Sequence, residues 1–376
     1  MSKIEELIEK YCPDGVEYKK VKDVFNRIKG TPITAGKMKE IENVDGDIKV
    51  FAGGKTVINA FEKDIPNANI TRVPSVLVQS RGVIDVVYYD KPFTFKNEMW
   101  AYTHENKTFV KFLYYVLKNN VQTFRDSASG MGSLPQISLP VTEDFKIPVP
   151  PLAVQEEIVR ILDNFTELTA ELTAELTARK QQYEFYRDKL LTFEDETIEW
   201  KTFEQLYNSG NIKTISPSIK IKRNDYLLTG NTPIISQDNE YISGYTDLID
   251  RNITKNEYVC FGDHTEIVKY VDFSFVQGAD GLKIFKTQEY NAKFLYHVIS
   301  NFYEKHNNYE RHYKYLLQTL LPVPSITIQE KIVKVLDTFD KICADLSIGL
   351  PAEIEARQKQ YEYYRNKLLS FKEKKV

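Results

Sequence analysis

Apolar side chains recur at three- and four-residue steps through Ile158, Leu162, Phe165, Leu168, Leu172 and Leu176, and Tyr183, Tyr186 and Leu190 prolong the stripe. That period marks one face of an α-helix. It predicts a single rod starting near Ala153, about 38 residues long and on the order of 57 Å at about 1.5 Å per residue. A second stripe passes through Ile332, Leu336, Phe339, Ile342 and Leu346, stops at Gly349-Leu350-Pro351 and resumes from Ala352 to Leu369. Glycine and proline there predict a helix end and a restart, with Pro351 in the first turn of the new helix. Each rod must bury its stripe, so the simplest arrangement is an antiparallel pair. The alternative is two helices tucked separately onto globular domains.

Outside the rods the pattern shortens. Asp47 to Phe51, Ser75 to Val78 and Val83 to Tyr89 are β-prone runs punctuated by Gly, Asn and Asp, and Thr232 to Ser236, Tyr258 to Phe261 and Ile267 to Val271 answer them later in the chain. Each group closes on a short helix, Val110 to Leu117 and Ala292 to Ile299. The reading is α+β: two small β-rich domains joined by two long antiparallel helices.

The chain also says nearly the same thing twice. Ile147 to Phe165 (IPVPPLAVQEEIVRILDNF) returns as Leu321 to Phe339 (LPVPSITIQEKIVKVLDTF), and Gln182 to Phe193 (QYEFYRDKLLTF) returns as Gln360 to Phe371 (QYEYYRNKLLSF). Val16-Glu17-Tyr18-Lys19 matches Ile198-Glu199-Trp200-Lys201, and Lys111 to Tyr114 matches Lys293 to Tyr296. Between these anchors the copies hardly agree. The duplication predicts variable readers on a common frame with a pseudo-twofold repeat. It divides the chain into residues 1–146, 147–193, 194–320 and 321–376.

Charge refines this picture. Residues 151–199 carry twelve acidic against five basic side chains, whereas 200–320 balance at fourteen each. Near-neutral variable domains argue against indiscriminate coating of nucleic acid, which depends on phosphate neutralisation, and leave local reading patches open. The start, MSKIEELIEKY, is charged, no run approaches a membrane span, and Cys12, Cys260 and Cys343 are isolated with no Cys/His cluster at zinc spacing. The expectation is a soluble cytoplasmic protein with no metal site.

Apparent catalytic signatures fail on spacing. Gly53-Gly54-Lys55-Thr56 resembles the tail of a phosphate-binding loop, but the first glycine of that motif would fall at Lys49. Pro13-Asp14 with Glu17-Tyr18-Lys19 mimics a metal-dependent nuclease, yet the gap fits a turn entering a strand, and the second copy keeps only Glu199-Trp200-Lys201. His306 and His312 lack further ligands nearby, so solvent-facing or DNA-facing roles are expected. Neither a methyltransferase NPPY or DPPY motif nor a glycine-rich methyl-donor loop occurs.

PVPPLAVQEEIV and QYEFYRDKLL, each repeated after a divergent domain, resemble the central and distal conserved regions of the specificity subunit of type I restriction-modification systems. The likeness covers essentially the whole chain. It implies two target-recognition domains, each reading one half of a split DNA sequence, and helices that dock two modification subunits. Those partners methylate adenine with S-adenosylmethionine, and restriction subunits working with ATP and Mg complete the complex. The implied chain is a DNA-recognition scaffold without catalysis or cofactor of its own. Alternatives are a self-contained methyltransferase or nuclease, and an adaptor whose variable domains bind protein.

Candidate DNA contacts follow from loop positions. The loop holding Gly53, Gly54 and Lys55 aligns after a strand with the loop holding Gln237 and Asn239, and Gln79-Ser80-Arg81-Gly82 pairs with Gly262-Asp263-His264-Thr265. Arg81 forks onto guanine or pairs with Asp85. Ser129 and Ser133 face Arg311, Tyr313 and Lys314. On the helices, Gln155, Glu156, Gln329 and Glu330 sit in first turns, where glutamate also complements the helix dipole. With the aromatic sets Tyr183, Phe185, Tyr186 and Tyr361, Tyr363, Tyr364 they make two equivalent candidate sockets for modification subunits, although packing between the rods would use some of the same residues. Thr169-Ala170-Glu171-Leu172 and Thr173-Ala174-Glu175-Leu176 repeat a four-residue unit within the rod, whose length is expected to set the spacer between half-sites that lie about one helical turn of DNA, roughly 34 Å, apart.

Overall fold

Among the described residues both copies fold into the same nine-strand order. A computed structural model describes residues 3–129, 134–193, 198–217, 220–248, 253–278, 281–343 and 349–374. In the first copy the strands are β1 (Glu17–Lys20), β2 (Asn26–Lys29), β3 (Ile48–Phe51), β4 (Val57–Ala60), β5 (Ser75–Gln79), β6 (Asp85–Tyr89), β7 (Phe93–Phe95), β8 (Trp100–Thr103) and β9 (Lys146–Val149). In the second they are β10 (Glu199–Thr202), β11 (Ile212–Ile215), β12 (Thr232–Ile235), β13 (Gly244–Thr246), β14 (Tyr258–Gly262), β15 (Val268–Val271), β16 (Val276–Gln277), β17 (Leu282–Thr287) and β18 (Leu320–Val323). The four-stranded sheets run β2-β8-β5-β6 and β11-β17-β14-β15, and the three-stranded sheets β4-β3-β7 and β13-β12-β16. The pairs β3 with β7 and β12 with β16 are parallel in both.

The sequence anchors are hydrogen-bonded to one another. β1 pairs antiparallel with β9, placing Glu17 opposite Val149, and β10 pairs with β18, placing Glu199 opposite Val323. The Val-Glu-Tyr-Lys and Ile-Pro-Val phrases thus form a two-stranded clasp that closes each reading domain before the chain enters the helical region. Pro13-Asp14 makes a turn ahead of β1, and Glu17 pairs with Lys19 at 3.1 Å on its exposed face. Gly53 to Thr56 is a hairpin turn, Ala52 N–H donating to Thr56 O at 2.9 Å, with β4 rather than a helix after it.

Each reading domain rests on a helix capped the same way. Asn106 Oδ1 accepts from Phe109 N–H at 3.1 Å at the start of helix Lys107–Asn119, and Asn291 Oδ1 accepts from Phe294 N–H at 3.0 Å at the start of helix Ala292–Phe302. Both helices sink their stripes completely: Phe112, Leu113 and Val116 in one, Phe294, Leu295 and Val298 in the other. At about 1.5–3 kcal/mol for each fully buried side chain, these residues outweigh anything the solvent-facing positions contribute.

The central helix is Leu152–Thr192, 41 residues without a break. The distal region is two helices, Ile326–Cys343 and Leu350–Leu368, which places Pro351 in a first turn as the sequence predicts. Leu346 lies outside the described residues. The chain divides into two compact units, residues 1–173 with 353–376, and residues 174–352. Each helical region is therefore shared between units, because each reading domain builds one core with the nearest helix ends. In the first unit Val154, Ile158 and Leu162 join Phe112, Leu113 and Leu368; in the second Leu191 joins Phe294, Leu295, Ile332 and Leu336. Within the second unit Cys343 senses the charges of Arg179 and Lys180, while Phe339 packs on Tyr183 and Tyr186. These two segments therefore run antiparallel.

The first unit is closed by the end of the chain. Val16 N–H donates to Lys372 O at 2.8 Å, Lys374 N–H donates to Val16 O at 2.9 Å, and Tyr18 donates to Phe371 O at 3.0 Å. Gly15, at φ +98°, lies so near that a Cβ there would sit 2.3 Å from Lys372 O. No helix among the described residues is long and apolar enough to cross a membrane.

Candidate nucleic-acid interface

Three loops of the first unit converge. Gly54 N–H donates to Arg81 O at 2.9 Å, Gly82 N–H donates to Pro135 O at 2.9 Å, and Ser129 and Gln136 exchange backbone bonds at 2.9 and 3.0 Å. Gly54 and Gly82 take φ of +74° and +77°, and a Cβ on Gly82 would come 3.3 Å from Gly54 N. The glycines therefore permit a close backbone crossing that other residues would wedge apart. Beside it opens a cleft of about 620 Å³ bordered by Gly53, Lys55, Arg81, Lys96 and Glu98. Asp85 is taken by Lys118 at 2.6 Å, so Arg81 keeps an exposed guanidinium with no ion pair among the described residues. Lys55 and Ser129 are also exposed.

Ser80 must be corrected. Its side chain is fully buried and its hydroxyl donates to Glu98 O, so it ties β5 to the neighbouring turn and presents nothing to DNA. Ser133, with Gly130, Met131 and Gly132, lies outside the described residues.

The equivalent loops of the second unit meet through side chains. His264 N–H donates to Gln237 Oε1 at 3.1 Å, and Thr265 Oγ1 donates to Gln237 O at 2.5 Å. His264 Nδ1 lies 3.0 Å from Glu310 O, and its ring stacks on Tyr309 at 5.5 Å. Gln237 thus spends its amide oxygen on bracing the loop. Asn239, Thr265, Arg311 and Lys314 are exposed. Lys314 pairs with Glu310 at 2.8 Å, and hydrogen bonds from Lys314, Asn308 and Tyr315 hold the Glu310 carboxyl down at about 2. Tyr313 must be corrected: its ring stacks on Phe285 at 6.1 Å and its N–H donates to Asp263 Oδ1 at 2.9 Å, so it is a wall of the core. His312 is corrected too, being fully buried with Nε2 2.8 Å from Asn308 Oδ1.

Three further residues shape this face. Lys269 is 4% exposed at its side chain and donates to Ser236 O at 2.8 Å and Glu240 O at 2.5 Å, fixing the loop that carries Gln237 and Asn239. Burial lowers its pKa and nearby Asp238 opposes that shift. Glu266, at φ +56°, accepts from Tyr303 Oη at 2.8 Å, His306 N–H at 2.7 Å and Asn307 N–H at 2.9 Å. Burial pushes its carboxyl up, but these donors and His312 outweigh it and hold the pKa below the ordinary value. Tyr309 is 92% exposed. A lysine on an inward position of an alternating strand was the one sequence signal for Lys269.

On the helices the equivalent glutamines turn inward, a further correction. Gln155 Nε2 donates to Pro150 O at 2.7 Å and Gln329 Nε2 to Pro324 O at 2.9 Å, both in the interior. They lock the proline-rich entry of each helix, leaving Glu156 and Glu330 exposed. Tyr183 and Tyr361 are also drawn inward, half-buried with phenol pKa values raised by burial, beside Phe339 and Phe165 respectively. What each unit presents is an edge-on aromatic pair. Phe185 and Tyr186 are 63% and 39% exposed at a ring separation of 5.5 Å, and Tyr363 and Tyr364 are 62% and 42% exposed at 5.3 Å. The repeat from Thr169 to Leu176 lies mid-helix, with only Thr169, Leu172 and Leu176 partly covered.

Residues 13–179 and 196–356 each match a family model described as the type I restriction modification DNA specificity domain. The chain is 30% identical to the EcoR124I/EcoR124II type I restriction enzyme specificity subunit of Escherichia coli over 86% of this chain and 87% of that protein. It is 26% identical to a putative type I specificity subunit of Mycoplasma pneumoniae over 94% of this chain and 97% of that one. The crystal structure of a type I restriction-modification S subunit from M. genitalium superimposes with a TM-score of 0.67 at 15% identity, covering 94% of this chain and 96% of the other, a likeness of fold.

Proposed function

Because this chain belongs to the type I restriction-modification DNA specificity family, a family of non-catalytic subunits, we propose that its two reading domains each recognise one half of a split double-stranded DNA target with an unread spacer between. The observation that carries this reading is the pairing of identical strand order with different loop chemistry. The same hairpin turns meet in both units, through glycine backbone at Gly54 and Gly82 in one and through Gln237, His264 and Thr265 in the other. A frame held constant while its loops diverge suits two different base sequences.

The exposed aromatic pairs Phe185-Tyr186 and Tyr363-Tyr364, with Glu156 and Glu330, are the surfaces assigned to two modification subunits. Tyrosine and phenylalanine bring large area with little rotamer entropy to lose. Adenine methylation with S-adenosylmethionine then belongs to those partners, and ATP- and Mg-dependent cleavage to restriction subunits. The central helix sets the spacer. One added Thr-Ala-Glu-Leu unit lengthens a helix by about 6 Å while turning it only about 40° past a full rotation, which at about 3.4 Å per base pair shifts the spacer by one or two base pairs and leaves both half-sites unchanged.

The test is a methylome of a host without endogenous methylation, expressing this chain with its modification subunit or either alone. Adenine methylation at a split motif, present only with both, is expected. Methylation by this chain alone, or a continuous motif, contradicts the reading.

A further inference from the structure

One contact is duplicated where each reading domain meets its conserved helix. Lys111 lies 3.3 Å from Asp163, and Lys293 lies 2.6 Å from Asp337. Each lysine also sits over a sheet tyrosine, Tyr88 at 4.7 Å and Tyr270 at 5.2 Å. Around that shared pair the copies differ at two positions. In the first unit Tyr115 donates its hydroxyl to Asp163, and Thr166 donates to its own helix at Leu162 O, 2.9 Å away. In the second unit the corresponding residues are His297 and Asp340.

The substitutions leave the donor atoms of His297, Asp337 and Asp340 within 4.8 Å of one another. His297 is 4% exposed and makes no hydrogen bond among the described residues, yet its ring borders a cavity of about 680 Å³ that Asp337 and Asp340 also line. An imidazole that makes no such bond, set beside two carboxylates on a shared cavity, is placed to share an ion with them. We propose that His297, Asp337 and Asp340 bind a first-row divalent transition-metal ion in the second unit, at a site the first unit lacks.

The donor set fits that class. One imidazole nitrogen and two carboxylate oxygens suit zinc or manganese better than calcium, which takes six to eight oxygens. Asp337 and Asp340 stand three residues apart on one helix face, and His297 comes from the helix Ala292–Phe302, so three protein ligands leave positions open to water from the cavity. Metal bonds of about 2.0–2.2 Å need neighbouring donors roughly 3–4 Å apart, so the side chains close by about an ångström. The Asp340 carboxyl also takes a hydrogen bond from Tyr183, which the ion would share or displace. Lys293 engages Asp337 through Oδ2, leaving Oδ1 for the ion, and Lys341 also borders the cavity. The ion would staple the second reading domain to its conserved helix.

The experiment uses the full chain without a histidine tag, freed of metal by chelator and titrated separately with ZnCl2 and MnCl2 by calorimetry. Metal content after gel filtration, thermal unfolding and anomalous diffraction of zinc-soaked crystals accompany it. One ion per chain is expected, with a higher Tm and an anomalous peak among the three ligands. His297→Gln and Asp340→Thr, the latter installing the residue of the first copy, should each weaken binding by more than about tenfold, while Asp163→Asn leaves it unchanged. Absence of a stoichiometric ion with either metal, a peak elsewhere, or undiminished binding in both ligand variants overturns the site. If the variants fail to fold, the position of the wild-type peak decides.

Discussion

The two units share strand order, caps and clasp, yet stabilise their reading loops by different means. In the first unit the loops touch through backbone at Gly54, Arg81 and Gly82, while in the second a network centred on Lys269, Glu266 and Gln237 holds them. A backbone-held loop leaves its side chains available, as Arg81 is, whereas a side-chain network commits residues such as Gln237 and Tyr313 to structure. Apparently matched loop residues therefore do different work in the two copies, even though they descend from one pattern.

The largest test concerns what the copies share. Leu162 and Leu336 are equivalent and fully buried, so Leu162→Ala and Leu336→Ala should each cost about 2–5 kcal/mol, read by denaturant unfolding. A large loss at one and none at the other would break the equivalence of the frame. Next come the glutamines. Gln329 Oε1 also accepts from Asn291 N–H at 2.8 Å, whereas Gln155 Oε1 has no partner. Gln329→Leu strands a buried donor and should cost about 1–3 kcal/mol, more than Gln155→Leu on the same measurement.

Much of this architecture was legible in the chain because it rests on local periodicity. The stripe from Ile158 to Leu190 gave the central helix, and β-branched runs gave β3, β5, β6, β12, β14 and β15, with ends within a residue or two. What was illegible depends on where the folded chain sets a partner, whether eighteen residues away or five. Nothing near Ser80 says that the carbonyl of Glu98 will meet it, and a glutamine in a first turn looks outward until the proline carbonyl behind it is placed. His297 and Asp337 lie in separate helices, which spacing rules for metal ligands cannot join. Which members of the aromatic sets face solvent was not legible either: Phe165 and Phe339 each touch two tyrosines, yet of these only Tyr364 and Tyr186 stay exposed.

Acid should separate the units further. Glu266, whose folded pKa is depressed, has no acidic counterpart in the first copy's turn from Ser80 to Ile84. Its contribution is present above the ordinary carboxylate range and is lost as pH falls through the lower folded value. Glu157, held down at about 2 by Arg160 and Lys3, stands where the second copy has Lys331. Acid unfolding followed by hydrogen exchange should show Glu266→Gln flattening the pH dependence of the second unit alone and Glu157→Gln that of the first. The smallest effect on the fold belongs to Arg81→Ala, within about 0.5 kcal/mol, while base preference in one half-site, read by methylome, relaxes by about 1–3 kcal/mol.

The central claim is that two independent readers share one frame. The measurement that tests it most directly is a methylome of a chimaera in which residues 199–323, bounded by the β10–β18 clasp, are exchanged for the corresponding domain of a relative. The account predicts one new half-site beside an unchanged half-site and an unchanged spacer. Alteration of both half-sites, or of neither in a chimaera that still methylates DNA, would contradict it.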